Sequence, residues 1–135
     1  MTGDALAVGV EALLTGFTVY KDRVPASPSL PYVFVLSSFP AASDRAVSRL
    51  VLSRNLRVRT VVTGATAASV RIVAQKLSDA LEGRRPTVAG WVLGAIESVP
   101  NEQPIQPDFE VTIPGTAEHP LYQPFDWILT GSRAA

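Results

Sequence analysis

The chain has no cysteine among its 135 residues, so it can build neither a disulfide framework nor a thiolate metal site, which fits assembly in a reducing cytoplasm. It has one histidine, His119, between Glu118 and Pro120. A metal site would need further imidazole or soft ligands that the chain does not own. It has no net charge, twelve basic residues standing against twelve acidic ones, which argues against a free-standing nucleic-acid binder. It has no apolar run long enough to span a membrane, since the N-terminal run is broken by Glu11. No Lys or Arg precedes Lys21, so the positive flank of an export signal is missing as well. The segment TGATAAS has a turn glycine, Gly64, but neither the Lys nor the repeated glycines of a phosphate-binding loop. No serine sits in a nucleophile motif, and the carboxylates of Asp108 and Glu110 read as a solvated or interfacial acidic patch rather than an acid and base pair. The expectation is a protein that is not an enzyme and carries no cofactor or metal.

What the chain does have is clearest between Asn55 and Arg85. Leu56, Val58, Thr60 and Val62 alternate with Arg57, Arg59, Val61 and Thr63, the period of a half-buried strand. After Gly64 the period changes. Val70, Val73, Ala74, Leu77, Ala80 and Leu81 recur at helical spacing, with Arg71, Gln75, Asp79 and Glu82 on the opposite side. Gly83 suits a left-handed helix stop, and Pro86 prevents the helix from resuming.

The rest of the chain attaches to this unit, and the length suits one domain, 1–135. Leu6, Val10, Leu13 and Leu14 form one stripe of a helix over 4–15, with Gly16 after it. Residues 17–20 read as a short edge strand. YVFVL within 31–37 is apolar on both sides, as in a strand whose second face is covered too, by its own chain or by a partner subunit. Residues 45–63 read as a hairpin turning at Ser53, Arg54 and Asn55. The main helix spans 66–82, and strands follow over 87–99, 109–113 and 121–130, the last with Leu121, Phe125, Trp127 and Leu129 on one face. Two helices with strands grouped in hairpins predict an α+β domain, a mixed or mainly antiparallel sheet with the N-terminal and central helices packed on it.

Charge is segregated along the chain. From Ala41 to Arg85 nine basic residues face three acidic ones, whereas from Pro86 onward Arg133 is alone against six acidic residues. Such a chain pairs with copies of itself, basic side to acidic side, or folds the two regions against each other within one subunit. The arginines of the hairpin face DNA, a partner's acidic surface, or water. Ile72 on the polar side of the main helix, with Val33 and Val35 behind the YVFVL strand, adds apolar surface that the helical and strand stripes leave over, as an oligomer interface would.

The layout of an N-terminal helix, LPYVFVLSS, LRVRTVVTGATAASVRIVAQKLSDALEG, RPTVAGWVLGAIES, an acidic Pro-rich stretch and HPLYQPFDWILTG resembles the tail terminator (tail completion) proteins of long-tailed, siphovirus-type bacteriophages, especially those of actinobacterial phages. The resemblance covers Pro31 to Thr130, and the segment from Asn101 to Pro120 is longer and more proline-rich than the usual connection. The resemblance implies a small α+β subunit of a homohexameric ring in the virion. Such a ring, assembled in the host cytoplasm and placed at the head–tail junction, ends polymerisation of the major tail tube protein and receives the head–tail connector or stopper protein. DNA would pass through as cargo and no membrane would be involved. On that reading Arg49, Arg54, Arg57 and Arg59 are the interface candidates drawn from charge, with Glu102, Asp108 and Glu110 as acidic counterparts and Ile72 as an apolar contact. The alternatives are another head–tail joining or minor tail protein, or a small ligand-binding or enzymatic domain using a cleft around His119, Asp126 and Trp127.

Overall fold

The computed structural model describes residues 4–38, 41–45, 51–100 and 103–133. They form helices α1 (Asp4–Glu11) and α2 (Ala67–Leu81). The strands are β1 (Val19–Tyr20), β2 (Tyr32–Ser37), β3 (Ala41–Arg45), β4 (Val51–Gly64), β5 (Trp91–Leu93), β6 (Glu97–Val99), β7 (Gln106–Pro107) and β8 (Leu121–Arg133). This is the expected α+β class. One sheet holds every strand, all its pairings antiparallel except that of β1 with β2.

Two long strands make its spine. β4 and β8 pair without interruption from Ser53↔Ser132 to Gly64↔Leu121. Shorter strands lie end to end along each outer edge: β2 and then β3 beside β4, and β7, β6 and β5 beside β8. The helices cover one face. Leu6 and Val10 of α1, Leu14 just after it, and Val70, Leu77 and Leu81 of α2 are buried with Val33, Val35, Leu56, Val58, Val62, Trp127 and Leu129 of the sheet. Each such side chain contributes about 1.5–3 kcal/mol by leaving water. Thr60 is the buried polar member of this face; its hydroxyl donates to the Phe125 carbonyl at 3.2 Å and accepts from Trp127 Nε1 at 2.9 Å.

The main helix starts and stops as its sequence dictates. Thr66 is extended and its hydroxyl accepts from the Ser69 amide at 3.1 Å, satisfying one of the free donors of the first turn. Gly83 takes φ +74, which a side chain would resist, and its amide reaches Ile96 O at 2.8 Å. Gly131 has a different reason to be glycine. A Cβ there would stand 2.6 Å from Leu93 Cδ2 and 3.3 Å from Trp91 Cε3, so with glycine at this position the Leu93 and Trp91 side chains of β5 lie directly against the β8 backbone.

The structure corrects several expected boundaries. The regular turns of α1 end at Glu11, because Leu13 and Leu14 tighten to bonds three residues back, on Val10 and Glu11. Ser53, Arg54 and Asn55 are no turn. They lie inside β4, where Ser53 Oγ meets Ser132 Oγ at 3.4 Å and Asn55 Oδ1 accepts from Thr130 Oγ1 at 3.1 Å, so their polarity is spent across the ladder. The expected partner strand over 45–52 is instead β3, and residues 46–50 lie outside the described residues. The strand expected over 87–99 is two short ones, separated where Gly94 N turns to Thr130 O and Ile96 N to Arg84 O. Phe109–Ile113 is no strand: Asp108 Oδ1 accepts from the Glu110 amide and Asp108 O from the Val111 amide, an aspartate turn that outcompetes the apolar alternation. Val33 and Val35 are core rather than surplus, at 0% and 3% exposure.

Candidate functional site

Among the described residues, the second face of the sheet carries no helix. Strand alternation places there Tyr32, Phe34 and Leu36 of β2, Arg57, Arg59, Val61 and Thr63 of β4, and Tyr122, Pro124, Asp126 and Ile128 of β8. The tyrosine end is roofed by the loop holding Val24, Pro25 and Pro28 and by Asp108 and Val111, which enclose a hollow of about 430 Å³ over Phe34 and Val61. Among the described residues, nothing roofs the opposite end. Leu36 is 44% exposed beside a shallow hollow of about 410 Å³ lined by Ser37, Ser38, Arg57, Arg59 and Asp126.

Two arginines are set differently in this open end. Arg59 is clasped by Asp126 directly across the ladder, Nε to Oδ1 at 2.8 Å and Nη2 to Oδ2 at 3.1 Å. Those hydrogen bonds, and then the charge of Asp126, raise the Arg59 guanidinium above its ordinary pKa. A raised folded-state pKa on a cation contributes stability that is whole below the ordinary value and lost only as pH climbs through the raised one, so this clasp is insensitive to pH around neutrality. Arg57 makes no ion pair among the described residues. Its backbone is fixed by Ser38, whose amide and hydroxyl donate to Arg57 O at 2.9 and 3.1 Å and whose Oγ accepts from Arg57 N at 3.2 Å. An exposed guanidinium on a fixed backbone, with Leu36 and Ile128 nearby, is suited to an anionic or carboxylate-bearing partner surface.

The residues expected to act together are distributed over three regions. Arg57 and Arg59 share the open face, whereas Arg54 is half-buried and, by alternation, belongs to the side of Leu56 and the helices. Arg49 and Glu102 lie outside the described residues. Ile72 stands outward on α2 at 58% exposure, on the helix side. Asp108 is half-buried and spends a carboxylate oxygen on its own turn, with Glu110 exposed beside it. Of the two readings of the segregated charge, folding of basic against acidic region within the subunit is realised at Arg59 and Asp126. Sequence reasoning weighed Asp126 only in a cleft; the register that sets it opposite Arg59 depends on strands 67 residues apart.

The three residues of that alternative cleft do not converge. Asp126 and Trp127 are consecutive in β8, and Trp127 turns inward to Thr60. His119 is absent from the lining of the Asp126 hollow; its Nδ1 lies 2.6 Å from Val111 O and its ring is edge-on to Phe109 at 5.4 Å. Among the described residues no three His, Asp or Glu side chains gather as a metal site, and no helix is long and apolar enough to cross a membrane.

No protein-family model and no curated protein sequence matches the chain. A solved structure does. A chain in the virion of a native gene transfer agent particle superimposes with a TM-score of 0.51 over 98% of this chain and 94% of that one, at 16% identity. The likeness runs over nearly the full length of both chains, so this chain shares its fold with a chain of that virion.

Proposed function

We propose that the protein is a structural virion subunit, a ring-forming tail terminator that caps the tail tube, ends its polymerisation and joins it to the head connector. The observation that carries this reading is the fold likeness to a virion chain along nearly the full length of both. The likeness of sequence layout to tail terminators, stated above, adds the finer role. The open sheet face supports it in kind, since Arg57 and Leu36 give it the charge and exposed apolar area of a partner surface. The partners on this reading are other copies of the chain, in a homohexameric ring as in the family it resembles, the major tail tube protein and the head–tail connector or stopper, with DNA only in transit.

The test is reconstitution. Purified protein added to elongating tail tubes is expected to stop their growth and to appear by electron microscopy as a ring at one tube end. Particles made without it should have tubes of uncontrolled length and unattached heads. Tubes that lengthen unchecked in its presence, together with normal particles in its absence, would overturn the reading. A ring found at a different joint would transfer the chain to another head–tail joining protein.

A further inference from the structure

The exposed apolar residues not used by the core lie on opposite sides of the sheet. On the helix side α2 turns Ile72 outward, with Arg71 and Lys76 exposed around it. Asp79, which accepts from Gln75 Nε2 at 3.0 Å, lies nearly two turns further along the same side of α2, and Glu82, which accepts from the Ser98 amide at 3.0 Å, lies beyond its end. The charges nearest Ile72 are therefore the cations Arg71 and Lys76, with the Asp79 carboxylate at the far end of that side.

On the other side, the 108–120 loop shows Phe109 at 74% exposure and Val111 at 43%, with the exposed Glu110 between them. This loop has Asp108, Glu110 and Glu118 and no Lys or Arg. It is also held in shape. Asp108 N bonds Pro120 O at 2.9 Å, Ile113 N bonds Glu118 O at 2.8 Å, Thr116 N and Oγ1 both reach Ile113 O, and the His119 ring braces Phe109. A phenylalanine left in water on a backbone so constrained is an anchor that loses little conformational freedom on docking.

We infer that these surfaces are the two halves of one contact between copies of this chain. The knob of Phe109, Glu110 and Val111 on one copy seats against Ile72 on the next, with Glu110 facing Arg71 and Lys76. The inference rests on the self-association proposed above and names its surfaces. Charge favours this pairing, because knob on knob sets Glu110 against Glu110 whereas knob on helix sets it beside the two cations nearest Ile72. Since the halves lie on opposite layers, no copy satisfies its own. Each gives one and takes one, the head-to-tail arrangement that closes as a ring or runs on as a filament.

The absence of cysteine makes the test clean. The full chain carrying Ile72→Cys and Val111→Cys, treated with a short bismaleimide under assembling conditions, is expected to give a ladder of covalent multimers on a denaturing gel. Either single variant should give no ladder beyond a dimer. Glu110→Lys should weaken self-association at least tenfold by sedimentation, with unchanged circular dichroism, and Arg71→Glu with Lys76→Glu should restore it. Rings that form without a ladder and ignore Glu110→Lys would overturn this contact and leave the ring reading standing. A chain that stays monomeric both alone and with tail tubes would overturn both.

Discussion

Thr60 and Trp127 show how much a single polar contact settles in this core. Both are buried, and the indole N–H has Thr60 Oγ1 as its acceptor at 2.9 Å. Thr60→Val keeps the shape but strands that donor, so it is expected to lower unfolding stability by about 1–3 kcal/mol, measured by denaturant titration. The Arg59–Asp126 clasp makes the contrast. Its side chains are 48% and 25% exposed, and pairs of that kind are worth about 0–1 kcal/mol, so its role is orientation on the open face more than stability. Neither pair could be read in advance. The alternation of β4 was legible, and with it the inward side of Thr60, but the partner of each residue lies 67 positions away in a register that only the folded sheet reveals.

At the scale of elements, what reads well from sequence is what is decided locally. Helix α2 is bounded by Thr66 and Gly83, each acting on its own neighbours, and its inward stripe of Val70, Leu77 and Leu81 follows from spacing alone. Thr66→Ala should therefore cost about 0.5–2 kcal/mol, seen as a lower melting temperature with the same far-ultraviolet spectrum. What reads poorly is what long-range pairing decides. Ser53 to Asn55 have the composition of a turn yet continue a strand, because Ser132 and Thr130 wait across the ladder. Phe109 to Ile113 have the alternation of a strand yet form a knob, because Asp108 caps its own backbone. Charge singled out Glu110, but Phe109 beside it, the most exposed large apolar residue described, carried no signal that distinguishes it from a core aromatic.

For the whole molecule, the sequence showed that basic and acidic regions exist but not that the sheet sets Arg59 of one against Asp126 of the other on a single face. The open face retains Arg57 without an ion pair among the described residues. Arg57→Glu should leave folding stability within about 0.5 kcal/mol, as surface changes do, while blocking incorporation into tails. Arg59→Glu is expected to block it too, but it also sets a second carboxylate against Asp126. Complementation of infectivity by each variant, beside the melting of the purified proteins, separates the two effects. Normal tails from Arg57→Glu would remove this face from the assembly.

The outer side of β8 is occupied by three short strands in succession, bent between them by Gly94 and by the prolines that follow Val99. Among the described residues that flank offers no long stretch of bare amides and carbonyls to a stranger, so another polypeptide cannot simply be zipped on as the next rung. Growth by backbone templating, the route to amyloid, is closed there, and any neighbour on that flank must be recognised by its shape and its charges.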